Sequence, residues 1–150
     1  MTGTNHGMTG ALIALLVREP ALAVSLSFTS HFVCDAIPHS GMSPGEKLFS
    51  RKFTILLIAD FLVAVTLMAI LGVLFSEQRW MIWACMIAAA SPDLMWGYYN
   101  LYIEKIKNGT PKLGLVSRFH SWIQWSQTPK GWIMEGVWFV SISAIILSIR

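Results

Sequence analysis

The sequence predicts an all-α fold: a polytopic membrane bundle of about four to five transmembrane helices plus an interfacial amphipathic helix, in a single integral membrane domain over residues 1–150. Three observations carry this. Only 13% of the 150 residues are charged, where a soluble domain carries about a quarter. Mean hydropathy is +0.58, so much of the surface is suited to lipid rather than water. The basic residues cluster in short segments between apolar runs, as the positive-inside rule expects.

The elements follow in chain order. Asn5 to Val17 is a short apolar segment ended by Arg18-Glu19-Pro20. A comfortable span takes about 20 residues, so this segment reads as a tilted or partly inserted helix packed on the others. Ala21 to Ile37 is the second helix. Pro38 ends it, since the residue before a proline is pushed out of the helical region, and His39 falls just past the regular turn. His39 to Lys52 is a loop with Gly41, Pro44, Gly45 and several charges. Phe53 to Phe75 is the clearest span, interrupted only by Asp60. Ser76 to Arg79 is a polar turn. Trp80 to Ile103 is the next span, broken by Ser91-Pro92-Asp93. Glu104 to Ser117 is a polar loop. Arg118 to Gln127, with Phe119, Trp122, Ile123 and Trp125, reads as an amphipathic helix at the membrane interface. Trp132 to Ile149 is the last span.

Charge excludes some functions and orients the chain. A net charge of +3, dispersed among short loops, is no nucleic-acid footprint. Cys34 and Cys85 lie inside apolar runs, which argues against a disulfide framework. No basic leader with a small-residue cleavage site opens the chain, so the N-terminus is expected to be retained. With the N-terminus cytoplasmic, Lys47, Arg51, Lys52, Lys105, Lys107, Lys112, Arg118 and Lys130 all lie inside, and Arg18, Arg79 and Arg150 lie outside.

That topology places the ionisable residues of the apolar segments at similar depth. His31, Asp35 and His39 are each four apart, so a helix sets them on one stripe. His31 lies about 12 Å below the inner end of its helix, Asp60 about 12 Å and Asp93 about 15 Å below theirs. His6 and His120 border the same side. Two imidazoles and a carboxylate on one stripe suit a divalent ion, zinc first and manganese second. Charged groups within spans are costly and mark functional sites by default. The candidate ligands are His6, His31, Asp35, His39, Asp60, Asp93 and His120, for one or two ions. Asp60 and Asp93 are also candidate catalytic bases.

Each residue has a plainer role. His31 could make an interhelical hydrogen bond, Asp60 could pair with a loop Lys or Arg, and Asp93 could cap the helix that continues from Pro92. His6 and His120 could be ordinary interface residues. Gly10 reads as a close-packing position. Trp96, Tyr98, Tyr99 and Trp122 read as interface anchors.

These residues also carry a likeness. His6 followed by Gly10, the Ser91-Pro92-Asp93-Leu94 element, and His and Asp within the spans resemble the YdjM-like inner-membrane metal-dependent hydrolases of bacteria. The Ser30–His39 stretch is similar to the His-x3-Asp helix of zinc-dependent phospholipase C and its nuclease relatives. The resemblance implies a bacterial inner-membrane protein, zinc held by His31 and Asp35 with His39 as a further ligand, and phosphodiester substrates. The expected activity is metal-dependent hydrolysis of a phosphoester or lipid from the cytoplasmic side, with membrane lipid as the partner. Proton or divalent-cation transport is the competing class, and a metal that only ties helices together is the third. Transport needs polar residues continuing to the far face, and the outer halves of these helices carry almost none.

Overall fold

The computed structural model describes residues 1–41, 50–98, 114–128 and 130–150. All regular structure among them is helical. The helices are α1 (Gly3–Leu16), α2 (Pro20–Ala36), α3 (Arg51–Leu74), α4 (Arg79–Ala90), α5 (Pro92–Gly97), α6 (Leu115–Ile123) and α7 (Gly131–Ile149). Most of the His39–Lys52 and Glu104–Ser117 loops, with Lys47, Lys105, Lys107 and Lys112, lies outside the described residues, as does Tyr99.

The short first segment is the centre of the bundle. α1 packs against α2, α3, α4 and α7, and every residue from Thr4 to Ala11 is buried. That explains its mixture of Gly, Thr, Asn and Ala: a helix enclosed on several sides needs small residues for close approach and polar ones only where they find partners. Gly10 is such a place. A Cβ there would fall 2.8 Å from the Cys85 carbonyl carbon and 3.0 Å from Ala89 Cβ, so α4 comes as close to α1 as a bare backbone allows. Around this contact lie Met8, Ala11, Ala14, Ala23, Leu71, Ile82, Cys85, Met86, Ile142 and Ile146.

Among the described residues, α3 and α7 are the two helices long and apolar enough to cross a membrane. They are mostly uncovered by protein: Ile55, Leu56, Phe61, Leu62, Val73, Val137, Val140 and Leu147 are all exposed. Contiguous apolar surface on this scale belongs against lipid or another protein. The expected Trp80–Ile103 span is divided. α4 stops at Ala90, and Ser91 and Pro92 start the short α5, because the proline ring removes a donor and crowds the preceding turn. The expected amphipathic helix at Arg118–Gln127 starts earlier, at Leu115, and closes in a tight 3-10 turn at Gln124–Ser126.

Each crossing-length helix has one carboxylate, and both meet the start of α1. Asp60 of α3 accepts the amides of Gly3 at 2.8 Å and Thr4 at 3.1 Å, while Thr4 Oγ1 donates to the Asp60 carbonyl. Glu135 of α7 accepts from the Thr2 amide and hydroxyl, Asn5 Nδ2 and Ser40 Oγ. The first amides of a helix have no partner within it, and the helix dipole favours negative charge there. The bundle is therefore stitched by two carboxylates from different helices onto one N-terminus.

Candidate metal centre

Asp35 is the hub. It sits on the last turn of α2, and its side chain is 1% exposed. His31, one turn earlier, places Nε2 3.2 Å from Asp35 Oδ2. The His31 Nδ1–H donates to the Ala89 carbonyl of α4 at 2.8 Å. In the neutral ring this leaves the lone pair on Nε2, directed at the hub, which is the usual way a protein fixes a ligating imidazole. α6 supplies His120. Its Nε2 lies 2.9 Å from Asp35 Oδ2 and 3.1 Å from His31 Nε2. Asp93, in the first turn of α5, brings Oδ1 to 3.6 Å from His31 Nε2 and 3.7 Å from His120 Nε2.

The group His31, Asp35, Asp93 and His120 could hold a metal ion; its four donor atoms lie within 4.8 Å of one another. The distances test the fit. Donors about 2.0–2.2 Å from the centre of a tetrahedron stand about 3.3–3.6 Å apart. Five of the six separations run from 2.9 to 3.7 Å and bracket that edge, and the sixth, Asp35 to Asp93, lies within 4.8 Å. Protons serve the group poorly. His120 Nε2 faces the Asp35 carboxylate, the His31 nitrogen and Gln124 Nε2 at 3.1 Å, and a single N–H cannot satisfy all of them. A cation at the centre takes the lone pairs of both imidazoles and the carboxylates together.

The other Asp35 oxygen, Oδ1, meets a separate set. The ammonium of Met1 contacts it, His6 Nε2 lies 3.1 Å away and His39 Nε2 3.9 Å away. The His6 ring stacks on His31 with centroids 3.9 Å apart. His39 is held just past α2 by a hydrogen bond from its Nδ1–H to the Ile37 carbonyl at 2.8 Å. Its backbone pairs with Gln127, and its carbonyl accepts the Thr128 amide. Gly131 packs so closely on that backbone that no Cβ would fit. Burial holds the His39 imidazole below its ordinary pKa; the Met1 ammonium acts the same way, and the Ile37 hydrogen bond and Asp35 oppose it. Ser126 Oγ donates to the carbonyls of Asp35 and Ile37, locking the 3-10 turn onto the end of α2.

Six of the seven residues singled out in the sequence thus converge on Asp35: His6, His31, Asp35 itself, His39, Asp93 and His120. Asp60 does not join them, because both its oxygens are engaged on the first turn of α1. Asp93 is not the cap of α5, a place taken by Ser91. Sequence reasoning missed Glu135. Its signal was present, as the one ionisable residue within α7. It also missed Gln124 and Ser126, which no pattern distinguishes from ordinary loop polarity.

Asp93 is the part-exposed member of the group. The side chain of Asp93 is 42% exposed, against 0% for His31 and 6% for His120. Leu94, Leu115, Phe119 and Trp122, on the same two helices as Asp93 and His120, are exposed apolar residues. No family model, curated protein or solved structure matches the chain.

Proposed function

We propose that the chain is a membrane-embedded, zinc-dependent hydrolase acting on a phosphoester, with a lipid phosphoester as the favoured substrate. The observation that carries this reading is the four-donor group of His31, Asp35, Asp93 and His120, in which three residues are buried and Asp93 is part-exposed. A purely structural ion is enclosed by protein, whereas a catalytic one keeps an accessible position. Nitrogen and carboxylate donors favour zinc, with manganese next.

A bound divalent ion supplies Lewis acidity toward a phosphoryl oxygen and makes water more acidic. The chain's own residues do the rest. His31, oriented by the Ala89 carbonyl, and His120, carried by α6, would hold the ion together with Asp35 as the three protein ligands. Asp93, at the mouth and farther from the two imidazole nitrogens than Asp35 is, would stay off the ion and is the candidate to take a proton from the attacking water. Gln124 Nε2, 3.1 Å from His120 Nε2, is placed to donate to a substrate oxygen. The exposed apolar residues of α5 and α6 suit acyl chains, so a lipid headgroup reaches the mouth from the bilayer surface.

The same reading takes the bundle as a bacterial inner-membrane protein, four to five spans with a cytoplasmic N-terminus and the site on that side. The resemblance to the YdjM-like metal-dependent hydrolases and the loop charges support it.

The test is metal analysis of detergent-purified protein, followed by a phosphodiester and phospholipid hydrolysis screen. Stoichiometric zinc or manganese, lost with His31→Ala and Asp35→Ala, together with turnover abolished by Asp93→Asn, is the expected result. Protein that stays metal-free after incubation with these ions overturns the proposal. So does metal-loaded protein that turns over none of the phosphoesters.

A further inference from the structure

α7 buries one face and leaves the opposite one open. Gly131, Glu135, Ile142 and Ile146 are the buried side. Glu135 is held by Thr2, Asn5 and Ser40, and Gly131 is pressed on the backbone of His39. The helix cannot turn about its axis without losing these contacts, so its other face is fixed outward. That face carries a shallow groove of about 390 Å³, lined by Trp132, Ile133, Gly136, Val137, Val140 and Ser141. Its floor is Gly136, where an added Cβ would meet nothing within 4 Å. Its walls are Trp132, Ile133, Val137 and Val140, all more than half exposed.

Lys130 stands at the head of this groove, as the N-cap of α7. It is exposed and, among the described residues, pairs with no carboxylate. The helix dipole disfavours a cation at a helix start, so α7 itself gives no reason for it. Arg51 and Lys52 open α3 in the same unfavourable way, and Arg118 lies on α6; all three are exposed. The described carboxylates of this end are otherwise employed: Asp60 and Glu135 on the start of α1, Asp35 buried, Asp93 part-exposed beside His31 and His120. The far end of the bundle mixes Arg18, Arg79 and Arg150 with Glu19 and Glu77. Exposed cations gathered at one end favour an anionic surface there.

We propose that an anionic phospholipid seats on this face of α7, with its phosphate at Lys130 and one acyl chain in the groove; this rests on the reading of α7 as a membrane span. The length fits. Trp132 to Ser141 covers about 14 Å at the helical rise, close to half of a hydrocarbon core about 30 Å thick. The groove therefore takes the chain of one leaflet, and Lys130 falls at headgroup level. Trp132, just below it, is where an amphipathic ring prefers the interface. The volume lies within the range of about 300–1,000 Å³ usual for small-molecule sites. A second copy packed through Gly136 is the rival occupant, and charge weighs against it. Two copies in one membrane orientation would bring their Lys130 ammonium groups together, whereas an anionic headgroup neutralises the charge.

The experiment is native mass spectrometry of delipidated, detergent-solubilised protein titrated with palmitoyl-oleoyl phosphatidylglycerol or with the zwitterionic phosphatidylcholine of the same chains. The wild type should retain phosphatidylglycerol about fivefold better, the effect of one cation beside an anionic headgroup. Lys130→Gln should bring the two lipids level. Gly136→Leu, which fills the groove, should lose the preference without lowering the thermal midpoint. Arg150→Gln, at the far end of α7, should behave as the wild type. Equal retention of both lipids by the wild type overturns the site, and so does a preference that survives Lys130→Gln or Gly136→Leu. A wild-type dimer that Gly136→Leu separates gives the face to a second copy instead. Protein that stays monodisperse without detergent removes the membrane reading itself, whereas a detergent-dependent protein with no lipid preference removes this site alone. Lys130→Gln, an exposed substitution, decides the matter even if Gly136→Leu fails to fold.

Discussion

His31 Nε2 and His120 Nε2 stand 3.1 Å apart, though 89 residues separate them and α6 alone brings the second to the first. Two imidazole nitrogens at this distance share a proton or share a cation. With Asp35 Oδ2 at 2.9 and 3.2 Å from the pair, the cation is the arrangement that satisfies all three. Metal removal should therefore loosen the junction of α2 and α6. At free metal 100 times its dissociation constant, binding stabilises the folded state by about 2.7 kcal/mol. Chelation should lower the thermal midpoint of the wild type in detergent and leave that of His120→Ala unchanged. Equal sensitivity of the two proteins would show that the effect lies elsewhere.

Asp60 separates position from chemistry. Its carboxylate replaces the missing partners of the first two α1 amides. Removing such a cap costs about 0.5–2 kcal/mol, and the buried amides left behind add to it. Asp60→Ala should unfold more easily by about 2 kcal/mol while binding as much metal as the wild type. Thermal unfolding and metal content on the same preparation check this. Loss of metal with no loss of stability would make Asp60 a ligand.

Glu135 should be more demanding. Four donors from three residues converge on it, and a charged hydrogen bond is worth about 1.5–3 kcal/mol. Glu135→Ala leaves Thr2, Asn5 and Ser40 without that acceptor and should cost about 3 kcal/mol. Glu135→Gln, which keeps an acceptor oxygen, should recover part of it. Denaturation in mixed detergent micelles would measure the difference. Equal stability of both variants and wild type would remove the tether from the fold's account.

Much of the site was legible because its residues break a rule. In an apolar run, His31, Asp35 and Asp93 stand out by the cost of placing charge in lipid, and the four-residue spacing put two of them on one stripe. Convergence was legible only as shared depth. The division of labour was not. Asp60 and Asp93 look alike in sequence, each an acid within an apolar segment, yet one caps α1 and the other lines the mouth. That depends on which helix lies opposite, a tertiary fact. The central place of α1 was hidden for a related reason. Its length argued against a full span, and nothing in thirteen weakly patterned residues says that neighbours surround them. The two described helices of crossing length were clear, since a long apolar run broken by a single carboxylate is enough to identify each.

Gly10 links packing to the candidate metal centre. It lets α4 approach α1 so closely that a Cβ would press on the Cys85 carbonyl carbon and on Ala89. Ala89 is also the residue whose carbonyl orients His31. A bulkier residue at position 10 must push α4 outward, and its first consequence for chemistry is a misdirected His31 ring. Overpacking of this kind costs about 1–3 kcal/mol, and loss of an orienting partner weakens metal binding by about 10–100-fold. Gly10→Val should show both effects, although the residue touches no ligand. Gly136→Val is the control, since a Cβ there meets nothing within 4 Å, and it should change neither. Metal titration and thermal unfolding of the two variants side by side give the answer. Weakened binding in both would mean that valine harms the bundle generally. Unchanged binding in Gly10→Val would mean that Ala89 does not set the ring.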